Sequence, residues 1–288
     1  MIGIENPISE SQPFGAFRPS NGLVFGLSLL RNAGLARGQL RRLVANWIKR
    51  NYEGPWDVEI RKYRARIFLH DNSCELKAYL AGTAYCNQEF KLITERISKK
   101  SNPVFIDIGA NAGLFTLHAN SVTQVGAKIL AIEPNPILVS RLEFNISAND
   151  ADNKCAVFPI AVGANEGEAE FSCTADMGSG SLITTSDEGD NTFKASIIPL
   201  VKLLADEEVQ RIDILKIDIE GHEDQVMTPF FTSAPESLYP DCVIIENNVN
   251  DWSTDCIAQM TALGYQIIFA NRANIGLEYI RSNRLATN

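Results

Sequence analysis

Residues 104–113 read Val-Phe-Ile-Asp-Ile-Gly-Ala-Asn-Ala-Gly, and this stretch decides the fold of the 288-residue chain. Its first five residues are mostly β-branched or aromatic, which is typical of a buried strand, and residues 109–113 predict a tight turn. A helical pattern begins at Leu114. A strand, a glycine-containing turn and a helix N-terminus form a cradle in which backbone N–H groups face a ligand.

Asp107 gives this cradle an unusual charge. We expect its carboxylate at the carboxyl end of the strand, where it would repel a pyrophosphate and attract an ammonium or sulfonium group. Glu133 follows the next predicted strand, at a position suited to accept the hydroxyls of a ribose, although a capping or surface role beside Pro134 is the alternative. The glycine spacing is GxxxG and not GxGxxG, which disfavours a nicotinamide dinucleotide. The combined pattern favours S-adenosylmethionine.

Strand and helix patterns alternate through the rest of the chain. Further strands are predicted over residues 128–133, 157–162, 212–219 and 242–246, and a closing antiparallel pair over 265–270 and 276–281. A β-rich insertion over 168–201 contains Gly178-Ser179-Gly180-Ser181. The alternation predicts an α/β fold with a doubly wound, mostly parallel seven-stranded sheet.

We divide the chain into an N-terminal extension, residues 1–84, and a main domain, residues 85–288. Residues 1–22 contain prolines and glycines without periodicity, which predicts a loosely ordered start. Residues 57–70 predict a β-ribbon with a basic face, which we interpret as solvated. The members of that face are Arg61, Lys62, Arg64 and Arg66.

Residues 37–50 predict a basic amphipathic helix. Its apolar positions follow helical spacing and are Leu40, Leu43, Val44, Trp47 and Ile48. We favour docking of this stripe on the body of the protein, because most such stripes are core faces. The alternative is a weak contact of residues 37–50 with an anionic membrane surface.

The net charge of −9 is divided unevenly along the chain. Residues 1–100 have a balance of +7 and the remaining residues a balance of −16. An acidic main domain argues against a nucleic-acid partner, since neutralised phosphates supply most of that affinity. The six cysteines form no CxxC pair and the three histidines are dispersed, so we expect free thiols, a reducing compartment and no metal centre. With no basic region followed by an apolar run at the start, we expect a cytoplasmic protein.

A second dense group of polar residues follows the strand predicted over 212–219. Asp218, Glu220 and His222 cluster at its carboxyl end, where open α/β sheets place their ligands, so they are candidates for a general base. Crowded acids cost energy unless a cation, a proton or a substrate relieves the repulsion. A magnesium site formed by Asp218, Glu220 and Asn247 is a weaker alternative.

Two neighbours of this group have structural interpretations. Glu223, or Glu220, could cap the following helix as part of a capping box. Lys216 lies inside an apolar strand, and a buried ammonium group requires a partner, which we expect to be one of the nearby acids. Both interpretations are compatible with a substrate-facing role for the remaining acids.

These motifs together resemble the FkbM family of S-adenosylmethionine-dependent methyltransferases. The resemblance covers roughly residues 85–280 and rests on residues 105–113, 133–135, 178–181 and 216–223. It implies a class I methyltransferase fold and O-methylation of a hydroxyl on a sugar, glycan or polyketide-type natural product. The cofactor-binding residues that it implies are Asp107, Gly109, Asn111, Gly113, Glu133 and Asn135, and the catalytic candidates are Asp218, Glu220 and His222.

Two other classes of function remain as alternatives. One is an NAD(P)-dependent oxidoreductase on a Rossmann-like fold, against which Asp107 and the glycine spacing count. The other is a non-catalytic protein that binds S-adenosylmethionine or serves as a scaffold. The complete set of acids over residues 218–223 counts against it.

Overall fold

The computed structural model describes residues 10–32, 38–172, 177, 181–182 and 192–281. Its strands are β1 (Trp56–Ile60), β2 (Tyr63–Ile67), β3 (Val104–Ile108), β4 (Lys128–Ile132), β5 (Cys155–Phe158), β6 (Ala161–Gly163), β7 (Gly167–Ser172), β8 (Ser181–Leu182), β9 (Thr192–Pro199), β10 (Ile214–Ile217), β11 (Cys242–Glu246), β12 (Tyr265–Ala270) and β13 (Asn274–Tyr279). Its helices are α1 (Asn21–Asn32), α2 (Gly38–Asn51), α3 (Ser73–Ala81), α4 (Asn87–Ile97), α5 (Leu114–Val122), α6 (Pro136–Ser147), α7 (Leu200–Asp206), α8 (Glu223–Ser233) and α9 (Cys256–Ala262).

The main sheet has seven strands in the order β12-β13-β11-β10-β3-β4-β5. Strands β3, β4, β5, β10 and β11 are parallel, and β13 runs antiparallel to both β11 and β12. This arrangement confirms the predicted doubly wound, mostly parallel sheet. Chain order reverses between β3 and β10, and ligands of such sheets bind beyond the carboxyl ends of the strands at this point.

Strand β3 lies inside the main sheet, and both of its faces are apolar. Ile106 and Ile108 pack into the cluster on one face, whereas Phe105 packs with Phe90 and Phe115 on the other. A parallel strand covered by helices on both faces has to be apolar almost throughout. The single charged residue of β3, Asp107, therefore needs a partner inside the protein.

The prediction of one continuous strand over residues 157–162 is wrong. The chain forms two short strands there, β5 in the main sheet and β6 in a separate four-stranded sheet of order β6-β9-β7-β8. The β-rich insertion predicted over 168–201 supplies the rest of this second sheet, which we call the small sheet. Residues 178–180 of its Gly-Ser segment lie outside the described residues.

The sequence pattern predicts a helix over residues 252–263, but helix α9 begins four residues later, at Cys256. The reason lies in Asp224, whose carboxylate accepts hydrogen bonds from the backbone N–H groups of Ser253 and Thr254, each at 2.9 Å. Asp255 then caps the helix by accepting the N–H of Ala258 at 2.9 Å. The segment before Cys256 is thus held as a loop.

Strands β1 and β2 form the predicted antiparallel ribbon, but the interpretation of Arg66 as part of a solvated face is wrong. Arg66 is 1% exposed because it pairs across the ribbon with Asp57, at 2.7 Å from Nε to Oδ1, and lies 3.9 Å over the ring of Phe144. The pair also holds the preceding segment. Asp57 accepts the N–H groups of Gly15 and Phe17, so the prediction of a loosely ordered start is wrong for these two residues. Residues 1–9 of that start lie outside the described residues.

Helix α2 divides the predicted apolar stripe between two environments. Ile48 is fully buried and Val44 half-buried in a cluster with α3, which confirms docking on the body for these two residues. The prediction of docking on the body is wrong for Leu40, Leu43 and Trp47, whose side chains are 37%, 65% and 46% exposed. Residue 37 lies outside the described residues.

Five of the six cysteines lie in the described part of the chain, and Cys86, Cys155, Cys242 and Cys256 carry free thiols, as predicted. The sixth, Cys173, lies outside it. Within the described ranges, none of the helices combines the length and the apolar character that crossing a bilayer requires.

Candidate active site

A cavity of about 380 Å³ opens at the carboxyl edge of the main sheet. Its walls are the segments that follow β3, β4 and β10, together with residues of the small sheet and of the N-terminal part. Seven of the residues predicted from the sequence line it: Gly109, Asn111, Glu133, Asn135, Asp218, Glu220 and His222. The structure therefore brings the two predicted motifs to one site.

The turn after β3 has a conformation that depends on its glycines. Gly109 has a φ of +71°, and a Cβ atom there would collide with the backbone carbonyl of Asp218. Gly113 has a φ of +96°, and a Cβ there would lie 2.6 Å from Leu142 Cδ1. Gly113 is not among the described residues that line the cavity, so its contribution is to let α5 pack against α6.

Asn111 occupies the left-handed region with a φ of +52°. Its side-chain Oδ1 accepts hydrogen bonds from the N–H of Ala112 at 2.7 Å and from Nδ2 of Asn72 at 2.6 Å. Asparagine tolerates this conformation because its side chain bonds the local backbone. Asn72 also caps α3, so the N-terminal part of the chain supports the turn.

Glu133 connects the two loops that follow β3 and β4. Its Oε2 accepts the N–H of Asn111 at 2.9 Å and its Oε1 accepts the N–H of Asn135 at 3.0 Å. Burial raises the pKa of Glu133 to about 7, although the two backbone hydrogen bonds oppose this shift. A carboxylate has about four acceptor positions, so both oxygens retain capacity for a ligand hydroxyl.

Asn135 is placed by the helix that follows it. Its Oδ1 accepts the N–H groups of Ile137 at 2.9 Å and Leu138 at 3.5 Å, which makes it the N-cap of α6. Pro136 occupies the first helical position, where a missing N–H costs nothing. Asn135 thus lines the cavity and fixes where α6 starts.

Asp107 differs from the sequence expectation. The side chain is completely buried, lies outside the described lining of the cavity, and pairs with Lys216, whose Nζ lies 3.3 Å from its Oδ1. Thr116 of α5 donates a hydrogen bond to its Oδ2 at 2.7 Å. Because the two residues are neighbours in register on β3 and β10, the lysine neutralises the charge that we had expected to face a ligand.

The buried ammonium group of Lys216 has several ionic and hydrogen-bond partners. Besides Asp107, its Nζ lies 3.9 Å from Asp218 and donates to the carbonyls of Ile108 and Gly109 at 3.3 and 2.8 Å. The expected pairing with an acid of the 218–223 group therefore holds only at the longer distance. The shorter distance is to Asp107.

Glu223 holds the turn over residues 218–222 in place through hydrogen bonds to its backbone. This buried carboxylate accepts the N–H groups of Ile219 at 2.8 Å and Gly221 at 3.3 Å, and Oε2 accepts Nε1–H of Trp252 at 2.7 Å. The interpretation of Glu223 as a cap of the following helix is therefore wrong, because its carboxylate accepts N–H groups of the turn before α8 and the N-cap of that helix has no side-chain hydrogen bond. Glu220 has a φ of +55° and lines the cavity.

Glu220 has the electrostatic setting of a general base. Its side chain is exposed, but the loss of hydration at the cavity wall raises its pKa to about 7, and the negative charges of Asp218 and Glu223 act in the same direction. A carboxylate with a pKa near the working pH is suited to accept a proton. His222 is the N-cap residue of α8 and lines the same wall.

Sequence reasoning missed several residues at this site. Cys74 lines the cavity from the N-terminal extension, Tyr85 from the start of the main domain, and Phe171 and Phe193 from the small sheet. They belong to no recognisable motif, because their position depends on packing between distant segments. Burial raises the pKa of Tyr85 well above its ordinary value, so its hydroxyl stays protonated at neutral pH.

Glu246 was not predicted from the sequence, and it lies near Asp218 and Glu220 without being among the described residues that line the cavity. It ends β11, beside the central β10, and its buried Oε2 has no hydrogen-bond partner among the described residues. Burial, and then the negative charges of Asp218 and Glu220, raise its pKa to about 9. Its position at the carboxyl end of a neighbouring strand was the available signal. Across the described residues, no group of three or more His, Cys, Asp or Glu side chains is arranged to hold a metal ion.

Comparison with known proteins gives two curated relatives. A methyltransferase of Sordaria araneosa, sdnD, is 26% identical over 156 residues, which cover 44% of this chain and 60% of the relative. The hexuronic acid methyltransferase AglP of Haloferax volcanii is 28% identical over 148 residues, covering 51% of this chain and 56% of the relative. The chain thus spans less than two thirds of the length of each.

Among solved structures, an O-methyltransferase from Bacillus cereus in complex with SAH is 10% identical and superimposes with a TM-score of 0.43, covering 67% of this chain and 81% of that one. The model of the methyltransferase FkbM domain matches residues 107–267, which is more than half of the chain. The match includes the turn after β3, Glu133 and the turn ordered by Glu223. The chain belongs to the FkbM family of S-adenosylmethionine-dependent methyltransferases.

Proposed function

We propose that the chain transfers a methyl group from S-adenosylmethionine to a hydroxyl oxygen of a sugar, glycan or polyketide-type natural product. The observation that carries this proposal is that the Gly109 turn, Glu133, Glu220 and His222 all line the same cavity. One curated relative is named for a hexuronic acid, which supports a sugar-like acceptor. The free thiols of Cys86, Cys155, Cys242 and Cys256 support a cytoplasmic location as part of the same proposal.

The cavity fits S-adenosylmethionine, the cofactor of this family, in three respects. Its volume lies within the range of ordinary ligand sites. The turn over residues 109–113 precedes the N-terminus of α5, and Glu133 retains acceptor capacity for ribose hydroxyls. Gly109, Asn111, Glu133 and Asn135 would hold the cofactor. Asp107 would not contact it, and its contribution would be to fix the position of Lys216 through their ion pair.

When bound, S-adenosylmethionine supplies a methyl group on a cationic sulfur, so that an O–CH₃ bond forms, the S–CH₃ bond breaks and a proton leaves the acceptor hydroxyl. In our proposal Glu220 accepts this proton, because its pKa of about 7 keeps a large ionised fraction near neutral pH. Glu223 holds the backbone of this turn in place. The apolar wall formed by Phe171 and Phe193 would exclude water and align the acceptor.

The first test is binding. S-adenosylhomocysteine should raise the thermal unfolding midpoint of the protein, whereas NAD should leave it unchanged, because ligands stabilise the folded state that binds them. A shift with NAD and none with S-adenosylhomocysteine would favour the oxidoreductase alternative. Such a result would contradict the proposal.

The second test identifies the acceptor. The protein is incubated with methyl-labelled S-adenosylmethionine and a panel of hydroxylated sugars, uronic acids, glycans and polyketides, and mass spectrometry locates the added methyl group. We expect the label on oxygen. Label on nitrogen or carbon would overturn the O-methylation proposal, and S-adenosylhomocysteine binding without any product would favour the non-catalytic alternative.

A further inference from the structure

Helices α1 and α2 carry an exposed apolar surface that the fold of the described residues does not cover. Six large apolar side chains on these helices are at least 37% exposed, namely Val24, Phe25, Leu29, Leu40, Leu43 and Trp47. They are six of the ten exposed large apolar side chains found in the described part of the chain. Exposed apolar side chains gathered in one region mark interaction sites of soluble proteins, and here they are concentrated on two elements that are neighbours in the sequence.

Other apolar residues of both helices are already used for packing. Leu23 and Leu27 of α1, and Val44 and Ile48 of α2, contact the apolar cluster that includes Leu76 of α3. The contact of α1 and α2 with the rest of the protein is therefore made by these residues and not by the exposed ones. On α2, the exposed side chains at positions 40, 43 and 47 follow i, i+3, i+7 spacing and form one narrow stripe.

The charges beside this surface have one sign. Neither α1 nor α2 contains an aspartate or glutamate, and their basic residues are Arg31, Arg41, Arg42, Lys49 and Arg50. Arg41, Arg42 and Arg50 are exposed, so α2 carries three cationic side chains on its surface. Arg50 borders the apolar stripe, because it follows Leu43 at i+7 and Trp47 at i+3. Arginine side chains of this kind lay their aliphatic stems on an apolar surface and direct their charge to the headgroup level.

We propose that the exposed faces of α1 and α2 dock on an anionic lipid bilayer, with the apolar side chains in the interface and the basic side chains on lipid headgroups. Trp47 suits this position, because an indole places an apolar body and a polar N–H at the interface. A second copy of the chain fits this surface less well. In a twofold contact the same basic residues would face each other and repel.

The charge distribution of the whole chain gives the docking a direction. Residues 1–100 have a balance of +7 and the remaining residues a balance of −16. An anionic surface attracts the first part and repels the second, so the acidic main domain turns away from the bilayer. This binding requires neither cofactor nor acceptor, and it is therefore tested separately from methyl transfer.

The experiment is flotation of the full 288-residue chain with phosphatidylcholine vesicles, with and without phosphatidylserine. We expect binding to the anionic vesicles that is on the order of tenfold stronger than to the neutral ones and that falls as salt is added. Absence of flotation would overturn the proposal, as would equal binding to both kinds of vesicle.

Two pairs of substitutions locate the surface. Leu43→Ser/Trp47→Ser removes apolar area and Arg41→Gln/Arg42→Gln removes charge, and each pair should weaken binding on the order of tenfold. The matched controls are Val125→Ser, an exposed apolar residue elsewhere, and Lys91→Gln/Arg272→Gln, which changes the net charge equally. Controls that weaken binding as much as the surface variants would overturn the assignment.

Two further measurements complete the test. Thermal unfolding checks that the variants fold, and the dependence of the parent protein on lipid charge needs no variant. Sedimentation velocity in the absence of lipid tests for a second copy on the same surface. A concentration-dependent dimer that Leu43→Ser/Trp47→Ser abolishes would overturn membrane docking, whereas a monomer that floats with anionic vesicles supports it.

Discussion

Lys216 and Asp107 lie opposite each other on the adjacent parallel strands β10 and β3, with Nζ 3.3 Å from Oδ1. Burial lowers the pKa of Lys216, but the negative charges of Asp107 and Asp218 outweigh this effect and raise it. Burial also raises the pKa of Asp107, and Lys216 offsets only part of that shift. Because Lys216 also donates to the carbonyl of Gly109, the ion pair ties the central strands to the turn that begins the cavity.

Replacing Lys216 by methionine should destabilise the protein by about 3–5 kcal/mol, because it leaves the fully buried carboxylate of Asp107 without its counter-charge. Urea unfolding measures the change in the free energy of unfolding. Asp107→Asn in the same chain should restore part of the loss. The control is Lys202→Met, which breaks an exposed pair with Asp206 and should cost less than about 0.5 kcal/mol. Equal stability of Lys216→Met and its parent would contradict the prediction.

Gly109→Ala should destabilise the protein by more than about 1 kcal/mol, since its φ is positive and the new Cβ would collide with the carbonyl of Asp218. The same substitution at Gly167 places a Cβ in open space and should change stability by less than about 0.5 kcal/mol. Thermal unfolding compares the two. Similar unfolding midpoints would show that the turn adapts without strain.

Glu133→Ala should weaken S-adenosylhomocysteine binding by more than about tenfold, because a hydrogen bond to a charged group contributes about 1.5–3 kcal/mol. It also releases the N–H groups of Asn111 and Asn135, which Glu133 now accepts. Isothermal titration calorimetry measures the dissociation constant. Glu143→Ala on the exposed side of α6 is the matched control. An unchanged dissociation constant in Glu133→Ala would remove the ribose assignment.

The rate of methyl transfer should rise with pH through about 7, because Glu220 has to lose its proton before it can accept one. Glu220→Gln should lower kcat by about 10²–10⁴ and abolish this limb of the profile. The exposed Glu168→Gln should leave both unchanged. If the limb persists in Glu220→Gln and is lost in His222→Ala or Asp218→Asn, the base is the residue whose variant loses it.

Glu246→Gln should stabilise the protein more at about pH 8 than at about pH 6. The pKa of Glu246 is about 9 in the folded protein, whereas an unperturbed glutamate titrates near 4.3. Because the folded-state pKa is the higher one, the favourable contribution of the protonated group is lost as pH rises towards 9. Unfolding midpoints across this range, with the exposed Glu166→Gln as control, give the test. A pH-independent difference would show that Glu246 titrates normally.

Most of the main sheet could be predicted from the sequence, because each buried strand is a short apolar run bounded by turn residues. The stretch at residues 104–113 gave β3 and the start of α5, and residues 242–246 coincide with β11. The division of residues 157–162 into β5 and β6 could not be predicted, since both pieces have the same apolar character. Only the second sheet, built from distant strands, provides a partner for β6.

The sequence by itself determined the order of the elements, the family and the two motifs at the edge of the sheet, because hydrophobic period and glycine positions are local properties of the chain. Tertiary structure alone decided which charges face the cavity. Asp107 and Arg66 are buried with a partner in register on the neighbouring strand, whereas Glu133 and Glu220 follow the ends of β4 and β10 and line the cavity. A carboxylate in the sequence has the same formal charge in either place. Its effect on a ligand depends on neighbours that only the fold brings near.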